Sequence, residues 1–177
     1  MVRREKNNYP SIALIQGSLH PSSHTAILLD AAARILSARG VRFTMFDLHT
    51  ADLDLYDARA VEEYGASTRE CIEAIKTSDV ILFGVPAYAA QAPGSLKNVV
   101  QLASGFLKEK KAGLICFSEK GTAYEASLDF IALLNKAGSH ILKPVVLASP
   151  DSFRGNAIFD DVVLQLIEEL VEAALRT

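Results

Sequence analysis

Along this chain short apolar, β-branched runs alternate with longer stretches in which apolar residues recur at helical spacing, and no linker-like segment interrupts the alternation. Residues 11–16 and 41–47 are predicted as strands. Between them Leu28, Ala31, Ala32, Ile35 and Leu36 mark one face of a helix over 25–38, which Gly40 ends. Ser67 and Glu70 have the spacing of a capping box, which predicts a helix running to about Thr77. Residues 79–84 are apolar on both faces, so they need cover on both sides and belong in the centre of a parallel sheet. Leu96, Val99, Val100, Ala103 and Leu107 predict a helix over 93–107, followed by a strand at 112–117 and a helix over 122–137 that Gly138 closes. The fifth strand is expected at 141–147, at an edge, because Pro144 removes a ladder donor. The last helix carries Phe159, Val162, Val163, Leu166, Ile167, Leu170 and Ala174, with Asp160 and Asp161 suited to its start.

This order predicts one α/β domain over residues 1–177, a wound parallel sheet with helices on both faces. Right-handed crossovers gather the C-terminal strand ends at one edge, where ligands of such sheets bind. The chemistry is therefore expected in the loops after Gln16, Gly84 and Phe117.

Composition narrows the class. Of 177 residues, 50% are hydrophobic and 22% charged. A core of this size hides about 70% of the surface the unfolded chain exposes, so neither disulfide nor structural metal is needed. Cys71 and Cys116 stand far apart in apolar stretches, which reads as two free thiols in a reducing compartment and as a cytoplasmic protein. With 18 basic and 21 acidic residues, the chain lacks the clustered positive charge of a nucleic-acid binder. The one basic cluster, Arg3-Arg4-Glu5-Lys6, has no apolar segment behind it, so residues 1–10 read as a flexible tail and not a signal peptide. No apolar run approaches the roughly 18 residues of a membrane span.

The loop Gly17-Ser18-Leu19-His20-Pro21-Ser22-Ser23-His24-Thr25 leads from a strand into a helix, so its N–H groups and the helix dipole would face an anion. Its hydroxyls add donors able to wrap a phosphate monoester. No Gly-Lys-Ser/Thr and no G-x-G-x-x-G occurs here, which disfavours a nucleotide triphosphate loop and a dinucleotide grip. Ser22, Ser23 and Thr25 can equally serve as helix caps, and local sequence does not decide between the two. His20 and His24 have no carboxylate or thiol beside them, so no metal site is assigned. Residues 84–98 form a long, mostly uncharged loop of small residues that could approach a flat heterocycle, or could be an ordinary βα connection with Pro93 in the first helical turn. No Ser–His–Asp order, G-x-S-x-G or metal-spaced His/Glu cluster appears, and no catalytic residue is assigned.

Taken together, Gly17-Ser18-Leu19-His20-x-x-Ser23-x-Thr25, Pro86-x-Tyr88 and Pro93-Gly94-x-Leu96-Lys97-Asn98 resemble the NAD(P)H-dependent FMN reductase family. The resemblance covers residues 11–147, and the loop Phe117-Ser118-Glu119-Lys120-Gly121-Thr122-Ala123 is similar to the sulfonate-associated branch. It implies a flavodoxin-like three-layer fold with strand order 2-1-3-4-5 and about five helices. It also implies FMN as bound flavin, NADPH or NADH as hydride donor, and a free flavin, quinone, azo or nitro compound as acceptor. A homodimer or homotetramer would be expected, with neither nucleic acid nor membrane as partner. Carried over by position, Ser18, His20, Ser23 and Thr25 would hold the FMN phosphate; Pro86, Ala87, Tyr88 and Ala89 would line the ring; Ser118, Gly121 and Thr122 would close its other edge. This sequence departs from the family at His20, where Arg is usual, at Ala87 and Ala89, and at Glu119-Lys120, where a glycine pair is common. The last departure leaves a second reading, a flavodoxin-like electron carrier or FMN-binding module without pyridine-nucleotide activity. A response-regulator receiver shares the topology but needs acids where Gln16 and Gly84 stand.

Overall fold

The computed structural model describes residues 9–176, so the Arg3–Lys6 cluster and most of the expected tail lie outside the described residues. Along the chain run β1 (Ile12–Gln16), α1 (His24–Ala38), β2 (Phe43–Asp47), α2 (Ala66–Lys76), β3 (Val80–Pro86), α3 (Gly94–Leu102) and β4 (Lys111–Phe117). There follow α4 (Ala123–Lys136), β5 (His140–Ile141), β6 (Val146–Ala148), β7 (Phe153–Arg154), β8 (Ala157–Ile158) and α5 (Asp161–Leu175). The strands up to β6 form one parallel sheet in the order β2-β1-β3-β4-β5, with β6 also pairing to β4. This is the flavodoxin-like architecture.

Both faces of the central strands are covered, as their unbroken apolar runs require. Ile12, Leu14, Leu82 and Ile115 point one way and pack with Leu28, Leu29 and Leu36 of α1 and Ile167 and Leu170 of α5. The alternate set, Ala13, Ile15, Ile81, Phe83 and Leu114, packs against Ile75 of α2, Leu96 and Val99 of α3, and Phe130 and Leu134 of α4. Cys71 and Cys116 lie in that second layer as free thiols, and burial pushes each up to about 12. Among the described residues no helix is long and apolar enough to cross a membrane.

Four elements differ from the sequence expectation, the first being α3, which ends at Leu102 and not at 107, with a separate 3₁₀ turn at Ser104–Phe106. The fifth strand is two short ones that both pair with β4, separated by the cis Lys143–Pro144 peptide, where proline offers no ladder donor. Helix α2 begins at Ala66 and not at a Ser67 capping box. The Asp54 carboxylate accepts the Gly65 N–H at 2.7 Å and the Thr68 hydroxyl at 2.8 Å, which holds its pKa below the usual carboxylate value. Helix α5 begins after Phe159, because Asp160 caps it by accepting the N–H groups of Val162 (2.9 Å) and Val163 (3.3 Å). Phe159 instead follows the β7–β8 hairpin, with the Arg154 guanidinium 4.8 Å from its ring centroid.

The contact that seats α1 on the sheet is a glycine. A Cβ on Gly84 would lie 2.9 Å from Thr25 Cγ2 and 3.5 Å from Leu29 Cδ2. Gly84→Ala should therefore lower stability by about 1–3 kcal/mol by overpacking, read as a lower denaturant midpoint at unchanged slope. Acid should loosen a second contact. The Ser11 N–H and hydroxyl both donate to Asp79 Oδ2, at 2.8 and 2.7 Å, joining the start of β1 to the start of β3 and lowering the Asp79 pKa. With the folded value below the unfolded one, the contribution is complete above about pH 4 and disappears as pH falls through the folded value. Asp79→Ala should cost about 1 kcal/mol near neutral pH, discounted for the exposed carboxylate, and the gap to the parent should close on acidification.

Candidate functional site

The chain leaves β1 pressed against β3. Gly17 donates its N–H to the Gly84 carbonyl at 2.9 Å, and a Cβ there would lie 2.6 Å from that oxygen and 2.4 Å from Leu96 Cδ1. The next residue, Ser18, is buried. Its N–H donates to Gln16 Oε1 and its carbonyl accepts Gln16 Nε2 at 2.9 Å. Ser18 Oγ accepts the His20 N–H at 3.2 Å and lies 3.1 Å from the Tyr88 hydroxyl, so the first and second loops touch here. His20 Nδ1 accepts the Ser22 N–H at 3.1 Å, so Nε2 is the ring nitrogen left to donate in this geometry. Ser23 caps α1 by accepting the Ala26 N–H at 3.2 Å, and its own hydroxyl proton is available to a further acceptor. From the β2 side, His49 Nδ1 lies 2.8 Å from the Leu19 carbonyl, and Asp47 Oδ1 accepts the His49 N–H (2.9 Å) and Gln16 Nε2 (3.1 Å).

The second loop is a tight turn. Tyr88 and Gln91 exchange both backbone hydrogen bonds, at 2.9 and 3.0 Å, and Ala89 and Ala90 between them have φ of 50° and 61°. Two consecutive positive φ values make a type I′ turn, a shape that Asn-Gly favours and that strains alanine. The surroundings hold it there. Ala87 donates to the Phe117 carbonyl at 2.8 Å, and Ala92 donates to Asp129 Oδ2 at 3.1 Å. Lys97 Nζ pairs with Asp129 at 2.9 Å and reaches Gln91 Oε1 at 3.4 Å, so this lysine positions the loop.

In the third loop Ser118 Oγ accepts the N–H groups of Lys120 (3.1 Å) and Thr122 (3.0 Å) and lies 2.9 Å from Thr122 Oγ1. Gly121 sits at φ +73°, where the loop reverses. Beside it the His24 ring stacks on Phe117 at 4.7 Å and meets Phe153 edge-on at 4.5 Å, with Glu119 Oε1 3.7 Å from His24 Nδ1.

These three loops enclose a cavity of about 780 Å³ at the C-terminal edge of the sheet. Of the residues singled out from the sequence, Ser18, His20, Ser23, Thr25, Pro86, Ala87, Tyr88, Ala89 and Thr122 line it. Ser118 and Gly121 do not; they shape the loop that carries Thr122. Ser22, His24, Ala90, Phe117, Glu119 and Lys120 also line it. Ser22 and His24 fall inside the first loop's motif, Glu119 and Lys120 stand out as the departure from a glycine pair, and Phe117 opens the third loop, although its sequence position does not mark its ring as a wall. The cavity joins neutral donors at the start of α1 to an apolar slot between Tyr88 and Phe117, and so suits a flat ring carrying a phosphate on a short tether. Among the described residues no group of His, Cys, Asp or Glu is arranged to hold a metal ion.

A family model for NADPH-dependent FMN reductase matches residues 10–152. Among solved structures, the flavoenzyme NAD(P)H:(acceptor) oxidoreductase FerB from Paracoccus denitrificans superposes with a TM-score of 0.76 at 20% identity, over 93% of this chain and 97% of that one. An NADH:FMN oxidoreductase in its apo form gives 0.73 at 20% identity, over 92% and 89%. An oxidoreductase from Corynebacterium diphtheriae gives 0.77 at 18% identity, over 97% and 100%. At these identities the structural likeness shows the fold alone. Comparison with curated protein sequences finds no significant match.

Residues that favour positive φ should relieve the strain at Ala89 and Ala90. Ala89→Asn combined with Ala90→Gly should raise stability by about 1 kcal/mol, because both residues tolerate positive φ. Thermal or denaturant unfolding reads the change, and a loss of stability would mean that the turn does not adopt this shape.

Proposed function

The chain belongs to the NADPH-dependent FMN reductase family, and from that premise we propose that the cavity seats FMN with its phosphate on residues 17–25 and its ring beside residues 86–89. The residues fit such a group. The phosphate end offers the hydroxyls of Ser18, Ser22, Ser23 and Thr25, the His20 ring and the first turn of α1, all of them donors suited to an anion. The ring end offers peptide groups of a preformed turn and the faces of Tyr88 and Phe117, and the volume lies within the roughly 300–1,000 Å³ of small-molecule sites.

When bound, FMN supplies the hydride-accepting chemistry for NADPH or NADH, so no acid, base or nucleophile is required of the protein. The task of the chain is placement. Gly17 and Gly84 bring the first loop close to the sheet, and the Asp129–Lys97 pair keeps the Tyr88–Gln91 turn rigid against the ring edge. Tyr88, 47% exposed, leaves room on the open side of the slot for the nicotinamide and then for the acceptor, a free flavin, quinone, azo or nitro compound. Glu119 and Lys120 place one charge of each sign at the rim where the coenzyme would enter. Residues 1–177 would act as one domain, assembled as a homodimer or homotetramer that covers Tyr124 and Leu128, both exposed on one face of α4.

The observation that carries this reading is the joining of the first and second loops in one cavity through the Ser18–Tyr88 contact. Purified protein supplied with FMN should oxidise NADPH or NADH under air, read as steady loss of the reduced nicotinamide absorbance. Tight FMN binding with no oxidation of either coenzyme would instead favour an electron carrier. Ser18→Ala should weaken FMN binding by about 1.5–3 kcal/mol, the value of a hydrogen bond to a charged group, measured by fluorescence titration. Unchanged affinity would move the phosphate elsewhere.

A further inference from the structure

Gln16 is the last residue of β1, paired in register with Asp47 of β2 and Gly84 of β3, and it is buried to 3% exposure. Beyond it the sheet ladder stops, and the backbone groups of Ser18 lie where no strand partner follows. The Gln16 amide supplies both: its Oε1 accepts the Ser18 N–H and its Nε2 donates to the Ser18 carbonyl at 2.9 Å. The second Nε2 proton donates to Asp47 Oδ1 at 3.1 Å, which fixes the amide's orientation. One side chain thus adds a rung to the sheet and sets the direction in which the Ser18 hydroxyl meets the cavity. The cradle depends on that direction, because the Ser18 hydroxyl also accepts the His20 N–H and touches the Tyr88 hydroxyl, so one side chain ties the two loops together.

We infer that Gln16, oriented by Asp47, is the positioning residue that shapes the loop of residues 17–25 for a phosphate monoester, and that it thereby makes the site select FMN over riboflavin. The inference rests on the reading of that loop as the phosphate site. Gln16 does not itself line the cavity, so its effect must pass through the loop backbone, directly at Ser18 and by way of Asp47 and His49 at Leu19.

Dissociation constants for FMN and for riboflavin, measured by flavin fluorescence on the full chain, test it. The parent should bind FMN more tightly than riboflavin. Gln16→Met keeps the volume and removes both hydrogen-bonding functions. It should weaken FMN binding by about tenfold or more, as expected for lost charge-assisted bonds downstream, and leave riboflavin binding unchanged. Gln16→Glu should act in the same direction and more strongly, since a carboxylate oxygen would then face the Ser18 carbonyl and Asp47. Asp47→Ala, at the edge strand, should give a smaller loss of the same kind and provides the reading if the Gln16 variants do not fold. Equal losses for both flavins, or a parent-like preference for FMN in all the variants, would overturn the inference while leaving the phosphate site in place. A parent that binds the two flavins equally would overturn the phosphate site and the inference together.

Discussion

The site depends on how closely three backbone segments approach one another where β1 and β3 end. Gly17 and Gly84 are hydrogen-bonded to each other, and neither has space for a Cβ: one would meet the other's carbonyl and Leu96, the second would meet Thr25. With those two atoms missing, α1 lies directly on β3 and α3 lies directly under the first loop. A helix end acts on an anion only over its first turn, so this proximity decides whether its N–H groups reach the cavity at all. The remaining features are consequences of that placement: Ser18 meets Tyr88, Thr25 packs on the sheet, and Ser95 donates to the Gly17 carbonyl at 3.2 Å.

Around that contact the two halves of the cavity are held by different physics. The first loop is fixed by side-chain hydrogen bonds from within and below, through Gln16, the Asp47 carboxylate and His49. The second is fixed by an ion pair behind a strained turn, since alanine at positive φ persists only where its surroundings over-determine it. Each arrangement fixes backbone donors before any ligand arrives, which reduces the ordering cost of binding.

The fold class was legible because its signal is periodic and long. The apolar run at 79–84 and the helical faces of α1, α4 and α5 are hard to satisfy in any other architecture. Boundaries were less so, for local reasons. Ser67 and Glu70 have the right spacing for a cap, yet the helix starts at Ala66 without a side-chain cap, and Asp54 of the preceding loop holds its entry through the Gly65 N–H and the Thr68 hydroxyl. Phe159 fits the helical periodicity, yet Asp160 caps the helix after it. At the site, the motifs selected Ser18, Tyr88 and Thr122, which the structure brings to one cavity. The Ala89–Ala90 turn was illegible because neither residue carries the usual signature of positive φ. Gln16 looked like the polar end of a strand, and its role is apparent only when the distances to Ser18 and Asp47 are known. Ser118 belongs to the third loop, but its hydroxyl is turned inward to hold the loop's own amides, which its sequence position does not reveal.

The two thiols give the molecule a property of a different kind. Reduced flavins pass electrons to dioxygen, so a protein that handles them works beside a source of oxidants. Oxidants attack the thiolate and spare the thiol. Cys71 and Cys116, each buried and pushed up to about 12, stay protonated at any physiological pH. Thiol sulfur in this core therefore serves as packing, and burial keeps it in the form that oxidants spare.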